Sequence, residues 1–157
     1  MIKPLSKSEI KELNEKIKKQ FSVDNFFDKK DKIVLLKEED SKSILKDKKE
    51  NFFYLDDILV PNLKLIIQRN FLKKIIVDLG AIKFVTNGAD VMRPGIKEIG
   101  EGIKKNDVIL VMDEKYHKPL AVCKALYDTE DMLAKNEGKV LQNLHHVGDK
   151  RWRNTKH

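Results

Sequence analysis

The sequence has few of the features that mark secreted or membrane proteins. It contains 157 residues and a single cysteine, Cys123, so an internal disulfide is excluded and a cytoplasmic setting is expected. No apolar run approaches the roughly 20 residues that a membrane helix needs, so no membrane partner is expected. The first residues, MIKPLSKSEIKELNEK, are charged and lack an apolar segment, which argues against a secretory signal.

Motifs of catalysis and metal binding are also missing from the sequence. There is no Cys-x-x-Cys or His-Glu-x-x-His for zinc, and no GxxxxGK[ST] loop for phosphate. Cys123 lies in an apolar strand pattern, where a cysteine is ordinarily buried and inert. His145 and His146 are neighbours on a predicted strand and would point to opposite faces. The sequence therefore predicts a protein that is not an enzyme and has no metal or other cofactor.

Positive charge is what the sequence has in excess. It has 32 Lys and Arg against 25 Asp and Glu, which gives a net charge of +7 at pH 7. An excess of this sign favours polyanions, because binding releases counterions from phosphates. A solvated lysine surface explains the same composition equally well, so the charge alone leaves the partner open.

Residues 1–75 have the pattern of a small α+β domain. Ile10, Leu13 and Ile17 follow helical spacing and predict an amphipathic helix over residues 5–20, with Ser6 or Ser8 as its N-cap. A second helix is predicted to begin at Pro61. Short apolar runs predict three strands, over residues 33–36, 43–46 and 51–55.

Residues 76–153 have more glycine-bounded short segments, and residues 154–157 are predicted to be a tail. Asp78 is the expected N-cap of a short helix that ends at Asn87-Gly88, and a loop is predicted over the glycines between 95 and 102. Strands are predicted at residues 90–92, 108–112, 119–126 and 139–146, with a helix over 130–135 capped by Thr129. Such short strands and helices predict a compact β-barrel or pseudo-barrel.

The stretch VDLGAIKFVTNGADVMRPGI, residues 77–96, resembles the opening of the PUA domain, an RNA-binding module. Three further pieces follow in that family's order: NDVILVMD, KPLAVCKALYD and GKVLQNLHHVGDKRW. The resemblance implies a mixed β pseudo-barrel with short helices over residues 76–153. Together with residues 1–75, the chain resembles the malignant T-cell-amplified-sequence family and its archaeal relatives.

The resemblance also implies an RNA-binding surface, formed by the first helix, the strand after the glycine turn and the last strand. Because Gly88 and Ala89 lack bulk, their backbone N–H groups are expected to approach a phosphate or a base edge. Turn formation alone would also explain Gly88, Pro94 and Gly95, and Met92 suits a core equally well. The candidate RNA-binding residues are Lys83, Asn87, Gly88, Ala89, Asp90, Met92, Arg93, Pro94, Gly95, Lys150 and Arg151.

For function, the resemblance implies a non-enzymatic protein that binds small-subunit ribosomal RNA or transfer RNA in translation initiation or ribosome recycling. A partner protein of the density-regulated type is part of that expectation. Two alternatives stay open. One is an RNA-binding accessory subunit of an RNA-modification enzyme, and the other is a protein–protein adaptor whose RNA binding is vestigial.

Overall fold

A computed structural model describes residues 1–155 of the chain. The chain forms two sheets, one from each half of the sequence, and most of their strand pairs are antiparallel. Helices accompany each sheet. The strands of the first half are β1 (Ile2–Pro4), β2 (Ile33–Lys37), β3 (Lys42–Lys46), β4 (Lys49–Leu55) and β5 (Ile58–Pro61), with helices α1 (Lys7–Phe21) and α2 (Leu63–Gln68). The second half contains β6 (Lys74–Val77), α3 (Ile82–Val85), β7 (Val91–Met92), β8 (Ile96–Ile99), β9 (Val108–Asp113), β10 (Pro119–Ala125), α4 (Thr129–Leu133), β11 (Lys139–His146) and α5 (Lys150–Asn154).

The first sheet is a meander in the order β1-β2-β3-β4-β5, covered on one face by α1. The buried stripe of α1 packs on buried side chains of the sheet, namely Ile33, Ile44, Phe52 and Leu59. Ser6 is the N-cap, and its hydroxyl accepts a hydrogen bond from the Glu9 N–H while the Glu9 carboxylate accepts one from the Ser6 N–H. The predicted amphipathic helix and the three predicted strands are confirmed.

The prediction that α2 begins at Pro61 is wrong. Pro61 ends the edge strand β5, where a residue without an N–H is tolerated. Asn62 is the N-cap instead, and its Oδ1 accepts a hydrogen bond of 2.9 Å from the Lys64 N–H. Strands β1 and β5 escaped prediction because runs of three and four residues carry little periodicity.

The second sheet has the order β7-β11-β10-β9-β6-β8 and forms the β pseudo-barrel of the predicted α+β fold. Only β6 and β9 run parallel among its described pairs. The predicted strands in this half and the antiparallel pairing of β9 with β10 are confirmed. The barrel core contains mostly aliphatic side chains, among them Ile75, Val85, Val91, Ile109 and Leu141, together with the thiol of Cys123.

Two details of the second half differ from prediction. The segment predicted to be a loop contains β8, which pairs with β6 at the edge of the sheet. Asp128, not Thr129, is the N-cap of α4. The Thr129 hydroxyl instead donates to the Gly100 carbonyl (2.8 Å) and accepts from the Ile103 N–H (2.9 Å), so it ties α4 to the segment after β8.

A shared hydrophobic core joins the two halves. Phe53, Val60, Leu63, Ile66 and Leu72 from the first half pack with side chains of the barrel, Val108, Leu110 and Val122. We call this contact the seam. It explains why no linker rich in glycine or serine separates the halves. The division at residue 75 stays a prediction.

Helix α5 returns to the seam, where Trp152 packs against the shared core. Within the predicted tail, Asn154 ends α5 and Thr155 is buried, whereas residues 156 and 157 lie outside the described residues. Among residues 1–155, no helix is both long and apolar enough to cross a lipid bilayer.

Candidate nucleic-acid interface

The predicted interface begins where β6 leaves the sheet. Asp78 caps a 3-10 turn over Leu79–Ala81, and its Oδ1 accepts a hydrogen bond of 2.9 Å from the Ala81 N–H. The turn continues directly into α3, as the capping residue predicted. Val85 points into the barrel core, so Phe84 beside it faces outward and is 57% exposed. A large aromatic side chain is thus held at the surface by a short, capped helix.

An apolar groove of about 450 Å³ lies between this turn and β7. Phe84 and Met92 contribute its largest exposed side chains, and Met92 is 51% exposed. Leu79, at the start of the 3-10 turn, is 46% exposed. Exposed apolar side chains gathered at one place mark binding sites more often than scattered ones do. The groove is lined by Asp78, Gly80, Ala81, Phe84, Val85, Ala89, Asp90, Val91, Met92 and Gly95.

The glycine turn at Asn87-Gly88 closes α3 and packs on β11. Gly88 has φ +92°, and a Cβ built on it would lie 3.2 Å from Nε2 of His146, so a larger residue would be both strained and crowded. The expectation that these amides are free for RNA is wrong. The N–H groups of Gly88 and Ala89 donate to the carbonyls of Val85 and Phe84, at 3.1 and 3.0 Å.

Asp90 fixes the wall of the groove rather than standing free in it. Its Oδ1 accepts a hydrogen bond of 2.8 Å from the Asn143 N–H, and its Oδ2 lies 3.3 Å from Nζ of Lys139. The Asn143 side chain in turn donates to the carbonyls of Val85 and Ala89, both at 3.0 Å. These bonds tie the end of α3 and the glycine turn to the last strand of the barrel.

Arg93, Pro94 and Gly95 form the turn between β7 and β8. The guanidinium of Arg93 is used internally, since Nε donates to the Met132 carbonyl at 2.8 Å and Nη1 to the Ile96 carbonyl at 3.4 Å. The carbonyl of Gly95 accepts from the Asp78 N–H at 2.9 Å, which joins this turn to the other side of the groove. Pro94 is exposed.

Lys83 and Asn87 are the exposed polar residues on the α3 side of the groove. The Lys83 ammonium lies 5.2 Å from the centre of the Phe84 ring. A cation at this distance keeps positive charge beside the aromatic surface. Of the predicted residues in this range, the structure places four in the lining of the groove, namely Ala89, Asp90, Met92 and Gly95. The others, Lys83, Asn87, Gly88, Arg93 and Pro94, belong to neighbouring turns and do not line it.

Arg151 is placed at the seam instead, and Lys150 beside it is exposed. Nη1 of Arg151 lies 2.5 Å from Oε2 of Glu50, and its guanidinium carbon lies 3.7 Å from the centre of the Phe53 ring. Both residues line a second cavity of about 480 Å³ between α5 and the first sheet. This position is explained by contact between the halves of the chain.

Phe84 is a residue of the groove that sequence reasoning missed. The available signal was an aromatic residue directly beside Val85, in a helix too short to bury both. Because neighbouring positions in a helix point about 100° apart, one of the two had to face outward.

The seam contains a buried histidine, His145, which bridges the start of α2 and the N-cap of α5. Nε2 of His145 accepts a hydrogen bond of 3.1 Å from the Leu63 N–H, and its Nδ1 lies 2.8 Å from Oδ2 of Asp149. Asp149 caps α5 and also accepts from the N–H groups of His146 and Trp152. Burial opposes ionisation of Asp149, but these hydrogen bonds outweigh it and lower the pKa of the carboxyl below its usual value.

Other chemistry-bearing residues do not form a site within the described chain. Among residues 1–155, no three His, Cys, Asp or Glu side chains are grouped so as to hold a metal ion. Cys123 is fully buried in the barrel core, and burial raises the pKa of its thiol.

Comparison with known proteins agrees with the fold. The PUA domain pattern matches residues 73–147. An uncharacterized protein of Methanocaldococcus jannaschii is 41% identical over 150 residues, covering 94% of this chain and 93% of that protein. Translation machinery-associated protein 20 of Saccharomyces cerevisiae is 33% identical over 138 residues, covering 83% and 76% of the two chains.

The chain belongs to the family of PUA-domain proteins that includes translation machinery-associated protein 20. A crystal structure of a hypothetical protein from Pyrococcus horikoshii shares the fold over 99% of this chain and all of its own, with a TM-score of 0.85 and 33% identity. The resemblance to the malignant T-cell-amplified-sequence family is confirmed, since relatives of that name match as well. A PUA domain implies RNA binding.

Proposed function

We propose that this protein is a non-enzymatic RNA-binding factor of the translation apparatus, which binds an unpaired end of transfer RNA or of small-subunit ribosomal RNA. The exposed apolar groove beside Lys83 carries the proposal. Phe84 and Met92 offer flat or flexible apolar surface on which bases stack, and stacking of this kind contributes about 1–3 kcal/mol per base.

The shape of the groove favours an end or a bulge over a continuous duplex. A cavity of about 450 Å³ accepts one or a few nucleobases, whereas the deep major groove of an RNA helix is closed to side chains. Since the amides of Gly88 and Ala89 are used within the turn, base stacking and nearby lysine charge supply the binding energy. This mode of recognition requires unpaired nucleotides.

The relatives supply the proposed process. The yeast relative is named as a translation machinery-associated protein, and we assign this chain the same general role, in initiation or in recycling of ribosomal subunits. Such a role places the protein in the cytoplasm, where translation occurs.

The test measures binding of the purified chain to small ribosomal subunits, to transfer RNA with an intact 3′ end, to the same RNA with its unpaired end removed, and to a duplex. Each is measured at low and high salt. We expect preference for the subunit or the intact end, and about tenfold weaker binding by Phe84→Ala. Leu133→Ala is the matched control, because Leu133 is an exposed apolar residue on α4.

Equal and strongly salt-dependent binding to all four ligands would contradict the proposal. That result would show only the charge of the lysine surface. Normal binding by a folded Phe84→Ala variant would place the RNA elsewhere on the molecule.

A second role, binding of a density-regulated-type partner protein, is favoured by the end of the first sheet at β1 and β2, beyond the part of the same face that packs on the barrel. Ile2 and Leu36 are paired across β1 and β2, and Val34 lies on the same face, opposite the side covered by α1. Ile2 is exposed and the other two are half-buried, which leaves an apolar surface open. Leu36→Asp should weaken complex formation in analytical ultracentrifugation without affecting RNA binding, and unchanged association would exclude this face.

A further inference from the structure

The connection between β9 and β10 presents an exposed aromatic residue between two lysines. Tyr116 is 65% exposed, and its ring centre lies 5.1 Å from Nζ of Lys115 and 5.7 Å from Nζ of Lys118. We call residues 114–118 the hairpin tip. An aromatic face flanked by ammonium groups combines the two features with which proteins hold single-stranded nucleic acid, base stacking and attraction of phosphates.

A buried carboxylate holds the hairpin tip in one conformation. Asp113 is only 2% exposed, and its oxygens accept hydrogen bonds from the N–H groups of Lys115 (2.9 Å), Tyr116 (2.6 Å) and Lys118 (2.9 Å). The bond from Tyr116 contributes most to lowering the pKa of this carboxyl below its usual value. The backbone around Tyr116 is thus preorganised, which reduces the entropy lost when the ring binds a ligand.

The hairpin tip and the groove lie at the same end of the barrel. Strands β6 and β9 run parallel, with Val77 paired to Asp113, and the Glu114 N–H donates to the Val77 carbonyl at 3.0 Å. The chain passes from Val77 directly into Asp78, which lines the groove. The carboxyl end of β9 therefore leads into the hairpin tip, and the carboxyl end of its parallel neighbour β6 leads into the groove.

We propose that the hairpin tip is a second RNA contact, in which Tyr116 stacks on a base and Lys115 and Lys118 bind phosphates of the strand whose end occupies the groove. This inference rests on the proposed function, because it extends the path of the same RNA. The side chain of Glu114 adds an acid at the base of the hairpin tip, so charge alone is a weak attraction there. Stacking on Tyr116 is accordingly the main interaction.

Oligonucleotides of two lengths separate the hairpin tip from the groove. One single-stranded RNA has about 4 nucleotides and fills the groove, and the other has about 12 and extends beyond it. We expect Tyr116→Ala to bind the longer RNA about tenfold more weakly and the shorter one normally. Tyr116→Phe, which keeps the ring, should bind both, and the double change of Lys115 and Lys118 to Ala should flatten the salt dependence for the longer RNA only.

Each remaining outcome contradicts a different part of the scheme. If Tyr116→Ala binds both RNAs normally while Phe84→Ala loses both, the hairpin tip is not a contact and the groove is. If Phe84→Ala binds both normally while Tyr116→Ala loses the longer RNA, the groove assignment is wrong. If the unaltered chain binds neither RNA at low salt, both proposals are overturned.

Discussion

The groove and the seam depart from the usual distribution of side chains in opposite ways. The groove leaves large apolar groups, Phe84 and Met92, in contact with solvent. The seam buries polar groups, Asn62, His145 and Thr155, and among the described residues no buried side-chain nitrogen or oxygen lacks a hydrogen-bond partner. Exposed apolar surface is available to a ligand, whereas buried polar groups that are fully paired serve to position parts of the fold.

The polar groups of the seam link three separate pieces of the chain. Nδ2 of Asn62 donates to Oε1 of Glu50 and to Oγ1 of Thr155, both at 3.1 Å. Nζ of Lys64 donates to the Thr155 carbonyl and lies 4.7 Å from the Trp152 ring. Since these bonds are directional, they hold α5 in one orientation against α2 and the first sheet.

A matched pair of phenylalanines gives the largest expected contrast. Phe53 is 2% exposed and packs at the seam, so Phe53→Ala should lower the free energy of unfolding by about 3–5 kcal/mol. Phe84→Ala removes an exposed ring and should change it by less than about 0.5 kcal/mol. Urea denaturation followed by circular dichroism measures both.

RNA binding of the same two variants should show the reverse order. Below the unfolding transition, Phe53→Ala should retain its affinity for an unpaired RNA end, and Phe84→Ala should bind that end about tenfold more weakly. A large loss of stability in Phe84→Ala would mean that the ring supports the fold, and the contrast between groove and seam would fail.

Arg151 gives the next largest effect and tests a residue that the sequence assigned to RNA. Its contacts with Glu50 and the Phe53 ring predict that Arg151→Ala loses about 2–3 kcal/mol of stability, because the change leaves a partly buried carboxylate without this partner. A thermal-shift measurement gives this loss of stability. Affinity for RNA, measured by fluorescence anisotropy, should fall by less than threefold.

Lys150→Ala is the control for the Arg151 variant. Lys150 is adjacent and exposed, so its removal takes away the same charge without the seam contacts. If both variants weaken RNA binding equally and neither loses stability, α5 belongs to the RNA interface and the sequence prediction is correct there.

Much of this fold could be predicted, because periodicity and turn chemistry are local. The spacing of Ile10, Leu13 and Ile17 predicted α1, and the apolar run at residues 108–112 predicted β9. Short edge strands such as β1 and β8 could not be predicted, since their pairing depends on a partner far along the chain. The N-cap at Asn62 was missed because Pro61 is an equally good local signal for a helix start.

The candidate site was harder to predict than the fold, because it depends on contacts between residues far apart in the sequence. The residues between Lys83 and Gly95 lie close in sequence, so a local motif placed them together. Lys150 and Arg151 carry the charge that RNA attracts, but contact with Glu50 and Phe53 across the chain decides where Arg151 points. Local sequence therefore indicates which residues suit RNA, and packing decides which of them remain available.

The smallest expected effect concerns pH and the Asp149 carboxylate at the seam. The lowered pKa means that ionised Asp149 stabilises the fold fully above pH of about 4 and loses this contribution as pH falls below that value. Asp149→Asn keeps a good N-cap for α5 but loses the charge beside His145, so it should cost about 1–2 kcal/mol at neutral pH. The difference from the unaltered chain should shrink as pH falls below about 4.

Asp40→Asn, in an exposed loop of the first half, serves as the control for the loss of one negative charge. Its stability at neutral pH should equal that of the unaltered chain, because an exposed charge contributes little to stability. Affinity for RNA should be the same in all three proteins at neutral pH, since Asp149 is bonded within the seam. If the stability difference between Asp149→Asn and the unaltered chain stays constant down to acidic pH, the carboxylate acts through its shape and hydrogen bonds alone. The proposal that its negative charge stabilises the seam would then be wrong.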